Sequence, residues 1–162
     1  MPNSSGVRKA LRGLNDSKQL SSGAREKFDL LIRRYALSFG IGLVEAWEID
    51  EVNILQATFK AMRQALEKID FDFALIDGNK AIPGSTEQRF LIKGDEKSIS
   101  IAAASVIAKV YRDDLMVELD REFPGYGFAR HKGYGTKEHQ EKILLLGPTP
   151  QHRRSFRWGP TS

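Results

Sequence analysis

The stretch that decides the fold is Phe71-Asp72-Phe73-Ala74-Leu75-Ile76-Asp77-Gly78-Asn79. Large apolar residues recur at every second position from 71 to 75, which predicts a β-strand. The Gly-Asn pair that follows predicts a turn. Asp77 continues the parity of the apolar residues and so projects from their face, where an unpaired carboxylate would be costly. The stretch therefore predicts a strand that ends in a carboxylate with a partner.

Carboxyl-terminal to this strand, the pattern alternates between strand and helix. Residues 90–93 predict a second short strand, whose pairing with the first would leave Gly84 in the connecting loop. Residues 100–122 predict a helix, and its alanines would let it lie close to a sheet. Strands that alternate with helices indicate an α/β fold.

Amino-terminal to the strand, two helices and a strand are predicted. Residues 21–35 have apolar side chains at i, i+3, i+4 and i+7, which is typical of a helix. Residues 36–47 mix branched and aromatic residues with two glycines and favour a strand. Residues 50–68 predict a further helix with Asp50 as its N-cap.

A second acid, Asp113, falls near the centre of the apolar stripe of the helix predicted over 100–122. Asp77 and Asp113 could both point into one cleft, where Mg²⁺ or Mn²⁺ would bind their hard oxygen ligands. A structural role is the alternative for each acid. Asp77 would then cap its own turn, and Asp113 would pair with Lys109 or Arg112.

Composition limits the class of protein. The 162 residues predict a single domain over 1–162, and the lack of cysteine excludes disulfides and zinc–thiolate sites. No stretch approaches the ~20 apolar residues that span a bilayer. We therefore expect a soluble, cytoplasmic protein without a membrane partner.

The carboxy-terminal region, 126–162, is basic. It holds seven Lys/Arg against two Asp/Glu, and all three histidines of the chain, which predicts a face for a polyanion. Glycines, aromatics and bases interleave over 125–135, and residues 152–156 include Arg153 and Arg154, which could grip phosphate. A solvated basic tail and a flexible surface loop are the alternatives.

Together these segments resemble the type II ribonuclease H family, ribonuclease HII. The resemblance covers residues 11–157 and keeps the order of the family's motifs. The matching segments are GLNDSKQLS (13–21), EIDEVNIL (48–55), LIDGN (75–79), IKGD (92–95), the helix over 98–113, HKGY (131–134) and HRRSF (152–156).

The resemblance implies a ribonuclease H-like mixed sheet with flanking helices. It also implies an endonuclease that hydrolyses the RNA strand of RNA–DNA hybrids, and ribonucleotides embedded in DNA, with Mn²⁺ or Mg²⁺. Asp77 resembles the family's strand-borne metal ligand and Asp113 its helix-borne acid. Tyr134 resembles the tyrosine that packs on the nucleotide sugar. The phosphate contacts implied are Lys18, Lys93, Arg153 and Arg154.

The chain also departs from the family. Members open with a strand that carries Asp-Glu-Val-Gly-Arg-Gly and then a second strand, and only fourteen residues precede Asn15-Asp16 here. We therefore expect the chain to lack the first two strands, including the central one, and half of the metal ligands. The expectation is a marginally folded chain, inactive alone, that needs the missing segment and is a monomer once complete. A noncatalytic nucleic-acid-binding fragment is the alternative.

Overall fold

A computed structural model describes residues 5–14, 17–84 and 87–156 of the chain. Along these residues three helices precede two consecutive strands and four helices follow them. This confirms the α/β class, although strands and helices do not alternate as predicted. The elements are α1 (Ser5–Ala10), α2 (Ser22–Tyr35), α3 (Ala46–Leu66), β1 (Ala74–Asp77), β2 (Gln88–Leu91), α4 (Gly94–Lys97), α5 (Ile99–Glu122), α6 (Phe128–His131) and α7 (Lys137–Leu146).

The chain forms two compact units. The first contains the residues up to Leu43 together with Phe59–Val110, and the second contains Val44–Thr58 together with the residues from Tyr111 onward. The single domain predicted over 1–162 stays a prediction.

The first unit has a core of helical side chains. The helix predicted over 21–35 is confirmed as α2, and the Ser21 hydroxyl caps it by accepting a hydrogen bond from the Ala24 amide at 3.3 Å. The long helix predicted over 100–122 is confirmed as α5. Its buried residues pack with those of α1 and α2, and the buried cluster at the strands contains no residue of α5 in the described part of the chain. The predicted packing of this helix on a sheet is therefore not seen. The buried residues of this core are Val7, Leu11, Ile32, Ala103, Val106 and Ile107.

The sheet of the first unit consists of two parallel strands in the described part of the chain. Ala74 pairs with Gln88 and Asp77 with Leu91, so two strands form and pair. β1 is shorter than the 71–77 stretch, and β2 begins and ends two residues earlier than the strand predicted over 90–93. Ala74 and Ile76 face a core that contains Phe59 and Ile82. Asp77 and Leu75 share the opposite, exposed face. Asp77 therefore shares the face of Leu75 as predicted, but the expectation that burial makes this carboxylate costly is wrong.

The strand predicted over 36–47 is wrong, because side chains of α3 and of Lys68, just after it, replace the hydrogen bonds of a ladder. The Leu43 amide donates to Gln64 Oε1 at 2.9 Å, and the Lys68 amine donates to the Ile41 carbonyl at 2.6 Å. Glycines permit this close approach: a Cβ at Gly42 would lie 1.8 Å from the Ala61 carbonyl oxygen. The two glycines in the pattern indicate packing against a helix.

The helix predicted over 50–68 starts earlier than expected. α3 begins at Ala46, so Asp50 lies inside it and the predicted N-cap role of Asp50 is wrong. The helix is interrupted at Asn53, which has φ 68° and ψ 163°. The Asn53 side chain accepts hydrogen bonds from the amides of Leu55 and Gln56, and so it caps the second part of α3.

The second unit has its own core around α6 and α7. The rings of Tyr126 and Phe128 stack with centroids 5.4 Å apart, and Leu119 and Ile143 complete the buried cluster. α7 is capped by Thr136, whose hydroxyl accepts from the His139 amide at 3.2 Å. Among the residues described, no helix is both long and apolar enough to cross a bilayer.

Candidate functional site

Asp77 ends β1 and links the strand to the helix that follows β2. Its Oδ1 accepts a hydrogen bond from the Gly94 amide at 2.9 Å, so the carboxylate contacts the start of α4 rather than its own turn. Gly94 is buried, and a Cβ there would lie 2.6 Å from Ile101 Cδ1 and 3.3 Å from Asp77 Oδ1. A glycine at 94 therefore brings the backbone close enough to hold the Asp77 carboxylate.

Two predicted phosphate contacts lie in the same unit. Lys93 precedes Gly94 with a left-handed φ of 55°, and its exposed amine lies 3.4 Å from Glu96 Oε1. Lys93 therefore directly precedes the residue whose amide binds Asp77. Lys18 is exposed, beside Ser17, whose hydroxyl is 2.8 Å from that of Ser105. Asn15 and Asp16 of the same motif lie outside the described residues.

Asp113 belongs to the second unit, where α5 continues past Val110. Its side chain is half-buried, as its position on the apolar stripe predicts, and its carbonyl oxygen accepts from the Lys132 amine at 3.2 Å. This bond joins α5 to the loop that follows α6. Asp77 belongs to the first unit, so the convergence of the two carboxylates stays a prediction.

The chemistry of the donors fits a hard divalent cation. Oδ2 of the exposed Asp77 makes no hydrogen bond to the described residues, while Oδ1 is fixed by Gly94. Mg²⁺ is commonly bound through one or two carboxylates, several waters and substrate phosphates. Within the described residues, no group of three or more His, Cys, Asp and Glu side chains is arranged to hold a metal ion. The Asp77 carboxylate therefore suits an ion that water and substrate help to coordinate, and the metal-ligand roles predicted for Asp77 and Asp113 stay predictions.

Tyr134 presents a stacking surface, as its place among the glycines predicts. Its side chain is 54% exposed, and the Arg112 guanidinium carbon lies 5.0 Å from the ring centroid. Arg112 Nη1 is buried and makes no hydrogen bond. A flat aromatic ring backed by a guanidinium suits a base or sugar. The 125–135 segment did not reveal Arg112, which lies on α5.

Asp50 organises the predicted phosphate contacts Arg153 and Arg154. Its carboxylate accepts hydrogen bonds from the Arg154 amide at 2.6 Å and from the amide and hydroxyl of Ser155. The hydrogen bond from the Ser155 hydroxyl holds the pKa of Asp50 below its usual value. The two amides and the nearby Arg153 lower this pKa by smaller amounts. Asp50 was missed, because no local pattern signals a bond between residues 104 positions apart.

The three histidines are not part of an exposed polyanion-binding face. His131, His139 and His152 are all buried, and this part of the prediction is wrong. Their rings pack against each other and against Phe128, with His131 and His139 stacked at a centroid distance of 4.1 Å. Composition could count these residues as basic but could not tell that their rings are enclosed.

Comparison with known proteins identifies the family. The family model described as ribonuclease HII matches residues 7–158. The chain belongs to the ribonuclease HII family. Ribonucleases HII from Syntrophotalea carbinolica and Geobacter sulfurreducens are 53% and 50% identical to it, each over 91% of the chain. The ribonuclease HII of Clostridioides difficile is 52% identical over 90% of the chain. The protein is thus a member of a family of hydrolytic endoribonucleases.

The relatives are longer than this chain. The matched part spans 71%, 69% and 58% of the Syntrophotalea, Geobacter and Clostridioides proteins, respectively. A solved structure, that of the PCNA:RNase HII complex from Archaeoglobus fulgidus, includes a chain with a TM-score of 0.72 and 22% identity. The match covers 97% of this chain and 84% of that one. At this identity the likeness supports the fold, which agrees with the α/β class seen here.

Proposed function

We propose that this protein acts as an endonuclease on the RNA strand of RNA–DNA hybrids and on ribonucleotides embedded in DNA. The single observation that carries the proposal is the ribonuclease HII match over residues 7–158. The exposed Tyr134 ring on Arg112 and the ordered Arg153–Arg154 backbone supply surfaces for a sugar and for phosphates. We place this activity in the cytoplasm.

In this proposal Asp77 and Asp113 are metal ligands. Mn²⁺ or Mg²⁺, when bound, would activate water and stabilise the departing oxygen of the phosphodiester. Gly94 holds Oδ1 of Asp77, which fixes the direction of the remaining oxygen. Lys132 ties the backbone at Asp113 to the loop that carries Tyr134, and so the acid and the sugar contact would keep a constant spacing.

The remaining residues would position the substrate. Tyr134 would pack on the sugar next to the scissile bond, while Lys18, Lys93, Arg153 and Arg154 would contact phosphates. Phosphate contacts give affinity and register, and the aromatic contact distinguishes one nucleotide position from its neighbours. Asp50 fixes the backbone on which the two arginines lie.

We propose further that these 162 residues alone have little nuclease activity. In the ribonuclease HII family an Asp-Glu-Val-Gly-Arg-Gly motif carries two acids, and this motif does not occur in these 162 residues. Large apolar side chains on the strands and directly beside them are also exposed, which indicates a surface that further structure would cover. These residues are Phe73, Leu75, Phe90 and Ile92.

Cleavage of a duplex with one embedded ribonucleotide, in Mn²⁺, tests the proposal. The chain is compared with a version extended by a segment that bears the Asp-Glu-Val-Gly-Arg-Gly motif. We expect cleavage by the extended form only, and its loss in Asp77→Asn and Asp113→Asn. Asp72→Asn, an exposed acid just before β1, is the matched control and keeps the activity. Strong cleavage by the unextended chain contradicts the low-activity part, and cleavage that survives Asp77→Asn contradicts the ligand assignment.

A noncatalytic nucleic-acid-binding role is the second candidate. It is favoured by the lack of a three-residue metal cluster among the described residues. Hybrid binding in EDTA, with no cleavage by either form of the chain, would support this role over hydrolysis.

A further inference from the structure

The buried histidines form a continuous chain in the second unit. His131 stacks on His139 at 4.1 Å between centroids, and Nε2 of His139 lies 3.0 Å from Nε2 of His152. Tyr126 and Phe128 enclose the rings. Histidines are usually only partly buried. Three in one core need hydrogen-bond partners for all six ring nitrogens.

The partners fix the tautomer of each ring. The Gly133 amide donates to His131 Nδ1 at 3.2 Å, so that nitrogen carries no proton and His131 Nε2 donates to the Tyr126 carbonyl at 2.9 Å. The Thr149 amide likewise donates to His152 Nδ1 at 3.0 Å, which places the His152 proton on Nε2. All of these bonds are made by neutral rings.

The chain of bonds ends on the backbone of Tyr134. His152 Nε2 donates to His139 Nε2, so the His139 proton lies on Nδ1, which donates to the Tyr134 carbonyl at 2.9 Å. Every ring nitrogen thus has a hydrogen-bond partner when all three rings are neutral, and His152 Nδ1 also lies 2.8 Å from the Thr149 hydroxyl. An added proton would set two N–H groups against each other at Gly133 or between His139 and His152. At His152 Nδ1 it would oppose the Thr149 amide and leave the Thr149 hydroxyl as the acceptor.

The loop that receives these bonds needs support. Lys132 and Gly133 both have left-handed backbones, with φ 50° and 72°, directly before Tyr134. A left-handed residue other than glycine costs ~1–3 kcal/mol and persists only where the surroundings enforce it. A Cβ at Gly133 would lie 3.2 Å from Met116 Sδ, so the loop also packs closely on α5. Imidazoles bond to both Gly133 and Tyr134.

We propose that His131, His139 and His152 are positioning residues that hold the Gly133–Tyr134 backbone, and with it the Tyr134 ring, through a chain of three neutral imidazoles. The proposal rests on the proposed function in one respect, namely that Tyr134 contacts the nucleic acid. It predicts that acid releases the loop.

The surroundings favour the neutral state. Burial, and then the neighbouring imidazoles, lower the pKa of His152. Burial also lowers the pKa of His139, and together with the nearby His131 it outweighs the hydrogen bond to Tyr134, which raises that pKa. The other titratable groups near the rings are the Tyr126 phenol, which donates to Gly147, and Lys132, bonded to the Asp113 carbonyl. Arg130 and Glu138 form an ion pair. Both of these side chains, like His131 Nε2, lie close to Gly127.

Nuclear magnetic resonance of the unaltered chain, labelled with ¹⁵N, tests the network without substrate. Long-range ¹H–¹⁵N spectra at neutral pH should show His139 protonated on Nδ1, and His131 and His152 on Nε2. Acidification should move the Gly133 and Tyr134 amide signals together with the first imidazole to titrate. A different tautomer at His139, or amide signals that stay fixed while the rings titrate, overturns the proposal.

A matched pair of variants tests the positioning role. The asparagine amide takes the place of imidazole Nδ1 and can still donate to the Tyr134 carbonyl, whereas glutamine reaches the place of Nε2 and cannot. His139→Gln should weaken hybrid binding in EDTA about fivefold, the effect of one lost hydrogen bond, and His139→Asn should restore most of it. A general structural role would make both variants equally weak, which contradicts the proposal.

A double-mutant cycle separates this inference from the proposed function. If His139 acts through Tyr134, then His139→Gln has no further effect on binding in a Tyr134→Ala background. Additive losses overturn the inference. If Tyr134→Ala alone leaves binding unchanged, the assigned role of Tyr134 fails instead, and the tautomers still decide whether the network exists. The spectra of the unaltered chain decide this even if a variant does not fold.

Discussion

Replacement of Tyr134 by alanine should weaken the binding of an RNA–DNA hybrid by a predictable amount. The ring is 54% exposed and backed by Arg112 at 5.0 Å, so it offers one face to a sugar or base. Loss of such a face costs ~1–3 kcal/mol, which is about 5-fold to 150-fold in Kd. Tyr134→Phe keeps the face and the guanidinium contact, and should change Kd by less than about threefold.

Fluorescence anisotropy of a labelled hybrid in EDTA, over a series of salt concentrations, measures the effect apart from cleavage. Tyr134 is uncharged, so Tyr134→Ala should lower the affinity without changing the slope of log Kd against log salt. Arg154→Gln removes one proposed phosphate contact and should reduce that slope by about 0.9. A Kd for Tyr134→Ala within twofold of the unaltered chain would refute the stacking role.

Three further predictions concern stability, measured by urea unfolding followed by circular dichroism. Gly42→Ala should lower the free energy of unfolding by about 2–3 kcal/mol, because the new Cβ would overlap the Ala61 carbonyl. The control Gly23→Ala places its Cβ in open space and should change the free energy of unfolding by less than about 1 kcal/mol. Equal urea midpoints for the two variants would contradict the close packing of Gly42 on Ala61. Tyr126→Phe should cost about 1–2 kcal/mol through the 2.7 Å bond to Gly147, and no loss would argue against that bond. In the folded chain the pKa values of His139 and His152 lie below the ordinary 6.5, so the unfolded chain takes up protons first as the pH falls. The free energy of unfolding should therefore be full above pH 6.5 and should decrease as the pH drops toward the lowered pKa values. A urea midpoint that stays constant between about pH 7 and 5 would contradict this.

The sequence predicted the elements whose signal is local. The helical spacing over 21–35 and the alternation over 71–77 correspond to α2 and β1, because side-chain periodicity reports directly on which face packs. Asp77 and Leu75 do share a face. The alternation alone does not say which face is buried, and here Ala74 and Ile76 face the core.

The features that were missed depend on contacts between distant residues. Residues 36–47 have strand-like composition, yet Gln64 of α3 and Lys68, just after it, bond to their backbone. Asp50 has the position of a helix cap in the sequence, and its hydrogen bonds go instead to Arg154 and Ser155. Propensity describes the neighbours along the chain, and tertiary contacts override it.

The residues proposed for the site were singled out from the sequence, whereas their supporting residues were not, and the roles of the proposed residues stay predictions. Asp77, Asp113 and Tyr134 stood out because their residue types break or punctuate the local pattern. Arg112, beneath Tyr134, and the enclosed histidines did not, since charge and composition give no measure of enclosure. Gly94, which holds Asp77, is visible only as one glycine after Lys93.

The discontinuity of the second unit has a consequence for biosynthesis. Its first part, Val44–Thr58, leaves the ribosome well before the residues from Tyr111 onward. Asp50 is made 104 residues before Arg154, an interval of about 5–20 s at ~5–20 residues per second. During translation that early segment has none of its later neighbours, so the second unit can close only after the residues from Tyr111 onward have been made. Nascent chains that stall after Val110 should expose Val44–Thr58 to proteases and chaperones.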